Sequence, residues 1–333
     1  MKVKAPGVAE RDTRVLPAGD AASIAEAARV ILQGGLVAMP TETVYGLAAD
    51  ATNARAIAAL YAAKGRPQFN PLIAHFASAL AAEGEAELTA DAHRLAARFW
   101  PGPLTIVAPV KPGCRVGLLA RSGLETLALR VPSHPIARQL IAAVGRPLAA
   151  PSANRSGRVS GTRAEHVMAD LDGRIDAILD AGPCPIGVES TIVACLADGP
   201  RLLRPGALAR ADIEDCLGMA LRTPAVSGKT PLAPGALASH YAPQARVRLN
   251  AQTLRPGEAG LDFAGRFGRA GGAPIIDLSP GGDLHEAAAN LFSSLRALDA
   301  PGVAGIAVAP IPAQGLGEAI NDRLARAAAD RPI

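Results

Sequence analysis

The sequence predicts a two-domain α/β protein, on three observations. Short apolar runs bounded by Gly and Pro alternate with helical periodicities from about residue 20 onward. Residues 222–245 then lose all periodicity, with Thr223, Pro224, Ser227, Gly228, Pro231, Pro234, Gly235 and Pro243 in one stretch, and a smaller α/β pattern follows. At 333 residues and 49% hydrophobic content the chain can bury two ordinary cores and is long for one. The expected division is an N-terminal extension over 1–19, a first domain over 20–221, a linker over 222–245 and a second domain over 246–333.

Each element follows from local signals. Asp20 or Ser23 opens a helix with Ile24, Ala27, Ala28, Ile31 and Leu32 on one face, closed by Gly34-Gly35. The apolar run 36–39, stopped by Pro40, is a buried strand that delivers Thr41 to Leu47 to a crevice. Asn53 caps a helix with Ile57, Leu60 and Tyr61 inward, which runs out at Lys64-Gly65-Arg66-Pro67. A strand over 71–76, a helix over 89–100 and strands over 104–110 and 126–131 come next. A helix over 135–144 leads to a strand over 148–150. Thr162-Arg163-Ala164-Glu165 fits a capping box for a helix to Leu171, and short strands are expected near 177–180, 190–196 and 201–204. Past the linker, segments 246–249, 274–278 and 303–309 with helices over 285–298 and 316–328 make the second domain. The strands are many and short, so a mixed sheet is expected rather than a strict βαβ repeat.

Composition excludes several function classes. Aromatic content of 3% leaves little for nucleic-acid platforms, and a net charge of +4 from 34 basic and 30 acidic residues gives at most a local basic face. Cys114, Cys184, Cys195 and Cys216 form no Cys-x-x-Cys pair and have no histidine at ligand spacing, which speaks against a zinc site or a disulfide framework. The N-terminus has no signal-peptide core and no apolar run reaches the ~20 residues of a membrane span, so a cytoplasmic protein without membrane contact is expected. Gly228-Lys229-Thr230 looks like the tail of a Walker A loop, but Thr223 stands where glycine is needed and no strand precedes it. Nucleophile-elbow, dinucleotide and His-Glu-x-x-His motifs are absent.

The chemistry sits at strand ends. Thr41, Glu42, Thr43 and Tyr45 bring three hydroxyls and a carboxylate to a strand exit, as a ligand site or as a capped turn. Lys64 and Arg66 could simply serve a helix C-terminus, yet Asn70 and His75 follow closely, a set that suits a phosphorylated ligand. His75 alone reads as a satisfied core histidine. Thr126 and Arg130 share one strand face, and a buried arginine there needs a partner, either Glu42 or a ligand carboxylate. Ala149 to Gly157 combines tiny residues with the donors Ser152 and Asn154, and polar groups recur at 187–191 and 203–206.

In order along the chain, Pro40-Thr-Glu-Thr-Val-Tyr-Gly-Leu47, Lys64-Gly-Arg66 with Asn70-Pro-Leu72, Trp100-Pro-Gly-Pro-Leu-Thr105, Leu129-Arg-Val-Pro132, Ala150-Pro-Ser-Ala-Asn154, Gly187-Val-Glu-Ser-Thr-Ile192 and Leu203-Arg-Pro-Gly206 resemble the Sua5/YrdC/YciO family. His240-Tyr-Ala-Pro243 and Gly315-Leu-Gly-Glu-Ala-Ile-Asn-Asp-Arg-Leu324 look like its two-domain Sua5 type, the threonylcarbamoyl-AMP synthases. The resemblance implies a YrdC-like twisted mixed sheet with flanking helices, plus a smaller C-terminal Rossmann-like α/β domain joined by the long linker. It also implies a nucleotidyltransferase that makes threonylcarbamoyl-adenylate from L-threonine, bicarbonate and ATP with Mg²⁺ assisting, for t6A modification of tRNA.

Carried over by motif, Thr43, His75, Arg130, Ala150 and Ser190 surround threonine, while Arg66, Asn70, Thr126, Ser152, Ser160, Arg204 and Tyr241 contact ATP. Lys64 and Arg66 are the expected catalytic cations, with Thr41, Asn154 and His240 in support and no metal ligand assigned. Residues 222–243 are expected to close over the ATP site as a lid ending in His240 and Tyr241. The implied partners are the small substrates, a t6A transferase complex that receives the product, and a contact with tRNA or double-stranded RNA. The rival is a double-stranded RNA-binding module using the basic stretch Arg155, Arg158 and Arg163.

Overall fold

The computed structural model describes residues 11–222, 240–268 and 272–330. Most of the expected lid, 223–239, therefore lies outside the described residues. In chain order the first part runs β1 (Arg14–Pro17), α1 (Ala21–Leu32), β2 (Val37–Met39), β3 (Gly46–Asp50), α2 (Ala54–Lys64), β4 (Ile73–His75), α3 (Ala79–Glu83), α4 (Ala90–Phe99), β5 (Leu104–Pro109), β6 (Thr126–Arg130), α5 (Pro135–Val144), β7 (Leu148–Ala149), α6 (Ala164–Leu171), β8 (Ala177–Asp180), β9 (Thr191–Leu196), β10 (Gly199–Arg204) and α7 (Arg210–Leu217). The second part contains β11 (Arg246–Arg248), β12 (Glu258–Asp262), β13 (Ile275–Asp277), α8 (Leu284–Leu298), β14 (Gly305–Val308) and α9 (Leu316–Ala328).

Capping chemistry sets the helix starts. Asp20, Asn53 and Thr89 each accept a backbone N–H in the first turn of α1, α2 and α4, and α5 begins with proline after His134. Gly65 and Gly145 end α2 and α5 in the left-handed conformation that glycine adopts without strain. The capping box at 162–165 does not form: Arg163 is the N-cap without a side-chain bond, because the Thr162 hydroxyl turns to His166 and Ser293.

Ten strands form one mixed sheet in the order β1-β8-β2-β3-β7-β4-β6-β5-β9-β10, and four parallel strands form a second sheet ordered β11-β14-β12-β13. β1, inside the stretch expected to be an extension, pairs in parallel with β8 at the sheet edge. Four further elements escape sequence reasoning. β3 is buried along its whole length and so lacks alternation. β12 carries Ala, Gly and two acids, poor strand formers that burial overrides. α3 is a five-residue turn, and α7 buries only Ile213 and Leu217.

The packing of the large sheet is unequal, and that positions the site. One face is covered by helices through Ile57, Leu60, Leu95, Val167 and Ile213. The other face is covered by α1 and α5 under β8, β2, β3 and β7, through Ile24, Ile31, Leu140 and Val144. Further along that second face the apolar set is Ile73, Val107, Ala128, Ile192 and Ala194, strand residues alone. The second domain packs Leu261, Ile306 and Val308 against Leu291, Phe292 and Leu295 of α8 and Ile320 of α9, in a core that also takes in Val44, Val159, Val188 and Tyr241.

Candidate active site

A single transverse row across five strands builds the site on this helix-free stretch of sheet. The register pairs His75 with Arg130, Arg130 with Thr105, Thr105 with Ile192, and Ile192 with Arg204. Directly opposed residues share a face, so an imidazole, two guanidiniums and a hydroxyl line up at one level. Arg204 reaches the row because the β10 register shifts between Leu202 and Arg204, and such a bulge re-aims a side chain. The β2–β3 loop, the Ala150–Ser152 loop after β7 and the 188–190 loop before β9 surround the row.

A cleft opens there. It is lined by the expected Arg66, His75, Arg130, Ala150, Ser152, Ser190, Arg204, His240 and Tyr241, with Val44, Ile73, Pro151 and Glu189. Nine residues spread from position 66 to 241 thus converge on one space. Thr41, Thr43, Lys64, Asn70, Thr126, Asn154 and Ser160 are not among its lining residues.

Arg130 donates to Glu42 Oε1 at 2.6 Å and to Thr43 Oγ1 at 3.0 Å. The sequence left Arg130 a choice of partners, and Glu42 takes it. Thr41 accepts from the Thr43 and Val44 backbone N–H groups and bonds the Thr43 hydroxyl at 2.8 Å, which fixes the loop. Ser190 Oγ bonds Thr105 Oγ1 at 2.8 Å, and Arg204 donates to the Ser190 carbonyl at 2.8 Å. Arg66 donates to the carbonyls of Asn70 and Pro71. Asn70 Oδ1 and Thr126 Oγ1 are buried without a hydrogen-bond partner among the described residues, and the β4–β6 register sets them near each other beside Arg66. Thr126 lies on the Arg130 face but about 13 Å along the strand.

Lys64 differs from its expected role. Its buried ammonium is turned onto the carbonyls of Ser152, at 2.5 Å, and Asn154, so it holds the loop rather than facing the cleft. The side-chain amide of Asn154 stitches the same loop to the carbonyls of Arg155 and Arg158.

Burial sets the charge states. It lowers His75 to about 3, with the nearby Arg130 adding to the effect. His240 is lowered to about 3 chiefly by burial, with Glu189 opposing and Arg66, Lys64 and Arg204 assisting. Both imidazoles are therefore neutral at pH 7. Arg66 is lowered to about 10 by burial and stays charged. For Glu189, desolvation pushes upward, but Arg323, Arg204 and the Ser160 hydrogen bond outweigh it and hold the carboxyl at about 2.

Sequence reasoning missed Glu189 and Arg323. Ser160 donates to Glu189 Oε1 at 2.6 Å and Arg323 of α9 donates to Glu189 Oε2 at 2.7 Å. A signal was present: Leu316, Ile320, Arg323 and Ala327 follow helical spacing, so a cation interrupts a buried stripe.

Residues 29–206 match the family described as "Telomere recombination", the Sua5/YciO/YrdC family, and residues 208–329 match "Threonylcarbamoyl-AMP synthase, C-terminal domain". The chain belongs to the Sua5/YrdC/YciO family. It is 41% identical over 329 residues to the threonylcarbamoyl-AMP synthase of Bacillus subtilis strain 168, covering 93% of this chain and 94% of that one. The corresponding protein of Pyrococcus abyssi is 42% identical over 325 residues, covering 92% and 94%. The crystal structure of P. abyssi Sua5 complexed with L-threonine superposes with a TM-score of 0.85 at 38% identity, over 95% of this chain and 97% of that one. The family's twisted mixed sheet and its smaller parallel-sheet domain are thus both present.

Proposed function

We propose that this chain condenses L-threonine, bicarbonate and ATP into threonylcarbamoyl-adenylate and releases pyrophosphate. The observation that carries the proposal is the convergence of three buried guanidiniums, Arg66, Arg130 and Arg204, on one cleft whose two imidazoles are uncharged. Carboxylated threonine must attack the α-phosphate, and negative charge grows there and on the leaving pyrophosphate. Preorganised cations in a dry site stabilise that charge.

Arg66 and Arg204 serve the triphosphate, with Ser152, Ser160 and Tyr241 completing that side and Asn70 and Thr126 offering their unpartnered oxygens to the nucleoside. Arg130 takes the threonine carboxylate, a geometry its planar fork suits. Thr43, His75, Ala150 and Ser190 enclose the rest of threonine, and neutral His75 can exchange a hydrogen bond without adding charge. Rejection of serine rests on a methyl-sized pocket, worth about 1–3 kcal/mol. Lys64, Asn154 and Thr41 hold the loops. No side chain stands out as a general base, so catalysis proceeds by positioning and electrostatics.

Mg²⁺ has no cage of its own here: no group of three or more His, Cys, Asp or Glu is arranged for a metal among the described residues, and the carboxylate lining the cleft, Glu189, has both oxygens taken. The ion would arrive on the triphosphate, its usual carrier, and no step is assigned to it. Among the described residues no helix is long and apolar enough to cross a membrane. A cytoplasmic role, with the product passed to a t6A transferase complex, fits the proposed chemistry.

The test is pyrophosphate release against a panel of amino acids, with bicarbonate supplied or withheld. Release should require threonine and bicarbonate together; release indifferent to either would sink the proposal. The RNA-binding alternative has weaker support, since Arg158 pairs with Asp170 at 3.6 Å and Arg163 lies 3.9 Å from Glu165. RNA affinity falling steeply with salt, without pyrophosphate release, would favour it instead.

A further inference from the structure

We propose that Arg323, carried by α9 of the second domain, is a positioning residue for the ATP side of the cleft: it occupies Glu189 and so leaves Arg204 to the triphosphate. The inference rests on the reaction proposed above and extends it to a residue outside the first domain.

Arg323 is fully buried, in the middle of the apolar stripe of α9. A charge at such a place is unfavourable unless its partners are well arranged, and an apolar side chain of similar volume would pack there at less cost. Its partners belong to the walls of the cleft. Nε donates to Glu189 Oε2 at 2.7 Å, and Nη1 donates to the Pro205 carbonyl at 3.0 Å and to Asp322 at 2.6 Å. The guanidinium also lies 5.3 Å from the Tyr241 ring centre, and Tyr241 stacks on Phe292 of α8 at 5.5 Å. One guanidinium therefore ties the segment before β9, the segment after β10 and the end of the linker to a single helix.

The electrostatic consequence follows from what Glu189 would do alone. It is the carboxylate among the cleft-lining residues, and Arg204 joins Arg323 in holding it ionised. Without Arg323, the cation left acting on it is Arg204, which bonds the carbonyl of the adjacent Ser190. That pairing would withdraw from the phosphates a cation the reaction needs.

The experiment compares the full-length protein with Arg323→Met, Glu189→Gln and the double variant, reading ATP binding by calorimetry and pyrophosphate release with ATP and threonine varied separately. Arg323→Met should weaken ATP binding about tenfold or more, with the threonine KM nearly unchanged. The double variant should recover most of the ATP affinity, because no freed carboxylate competes for Arg204. Parent-like ATP binding in Arg323→Met, an equal loss for both substrates, or a double variant no better than the single one would overturn the inference. Should Arg323→Met fail to fold, the double variant still decides, since it removes both members of the Glu189–Arg323 pair: near-parent ATP affinity supports the inference and poor affinity overturns it. A parent that binds ATP but releases no pyrophosphate refutes the proposed reaction, while the calorimetry still judges Arg323.

Discussion

Two buried Arg–Glu pairs flank the cleft, and they are built to different degrees of completion. Glu42–Arg130 lies within the first domain, both side chains less than a tenth exposed, with Glu42 Oε2 and Arg130 Nε lacking hydrogen-bond partners among the described residues. Glu189–Arg323 spans the two domains; both carboxylate oxygens are engaged, and the guanidinium has two further acceptors, although its Nη2 has none. Incomplete pairing leaves lone pairs and donors for a ligand, whereas a carboxylate with both oxygens engaged fixes geometry. The first pair is thus suited to exchange partners with a substrate carboxylate, and the second to hold the walls still.

The largest expected effect comes from breaking the first pair. Arg130→Met leaves the Glu42 carboxylate buried and uncompensated, which should cost about 3–5 kcal/mol in urea denaturation and abolish threonine-dependent pyrophosphate release. A loss below about 1 kcal/mol would mean that Glu42 finds another partner or reaches water once Arg130 is gone.

The second pair can be disturbed without touching it. Gly187 has φ +81, and a Cβ there would sit 2.4 Å from the Ala288 carbonyl of α8. Gly187→Ala should therefore push the second domain outward and cost about 2–4 kcal/mol through left-handed strain and overpacking. Weakened ATP use with intact threonine dependence would tie the interface to the phosphate side. An unchanged denaturation midpoint would show that the close approach is not there.

How much of this was legible in sequence depends on the range of the interaction. Caps such as Asp20 and Asn53 and the left-handed Gly65 and Gly145 act within one turn, so α1, α2 and α5 are readable from local pattern. The residues at strand ends, His75, Arg130 and Arg204, are equally visible as polar groups after apolar runs. Their alignment in one row is not, since it depends on register across five strands and on a bulge in β10. Lys64 shows the same gap: the sequence reveals a cation but not the two carbonyls that claim it. Residues 223–239, expected as the lid, lie outside the described residues.

Acid should separate the two regions more gently. His75 stands by Arg130 and His240 by Glu189, and each has a folded pKa of about 3 against an ordinary 6.5. Both are neutral when folded and take up a proton on unfolding once the pH drops below 6.5. Stability should therefore rise with pH between about 3 and 6.5 and flatten above, with a slope of up to about 1.4 kcal/mol per pH unit per histidine. Glu189 adds its own loss only as pH falls from 4.5 toward about 2, so urea midpoints taken above pH 4.5 isolate the histidines. His166, lowered to about 4 mainly by burial, supplies a background common to all variants. His75→Gln and His240→Gln should each flatten the profile by one proton; a variant that keeps the full slope would show that its imidazole is already charged or solvated in the fold.

The smallest effect supplies the baseline that the comparison needs. Arg14 of β1 and Glu26 of α1 lie 2.8 Å apart, nearly as close as the buried pairs at 2.6 and 2.7 Å, yet their side chains are 44% and 27% exposed. Water screens such a pair, and holding two long side chains together offsets much of the attraction. Arg14→Ala should then cost no more than about 1 kcal/mol in urea denaturation and leave pyrophosphate release unchanged. A cost approaching that of Arg130→Met would mean that distance rather than burial governs these pairs, and the contrast between Glu42–Arg130 and Glu189–Arg323 would lose its physical basis.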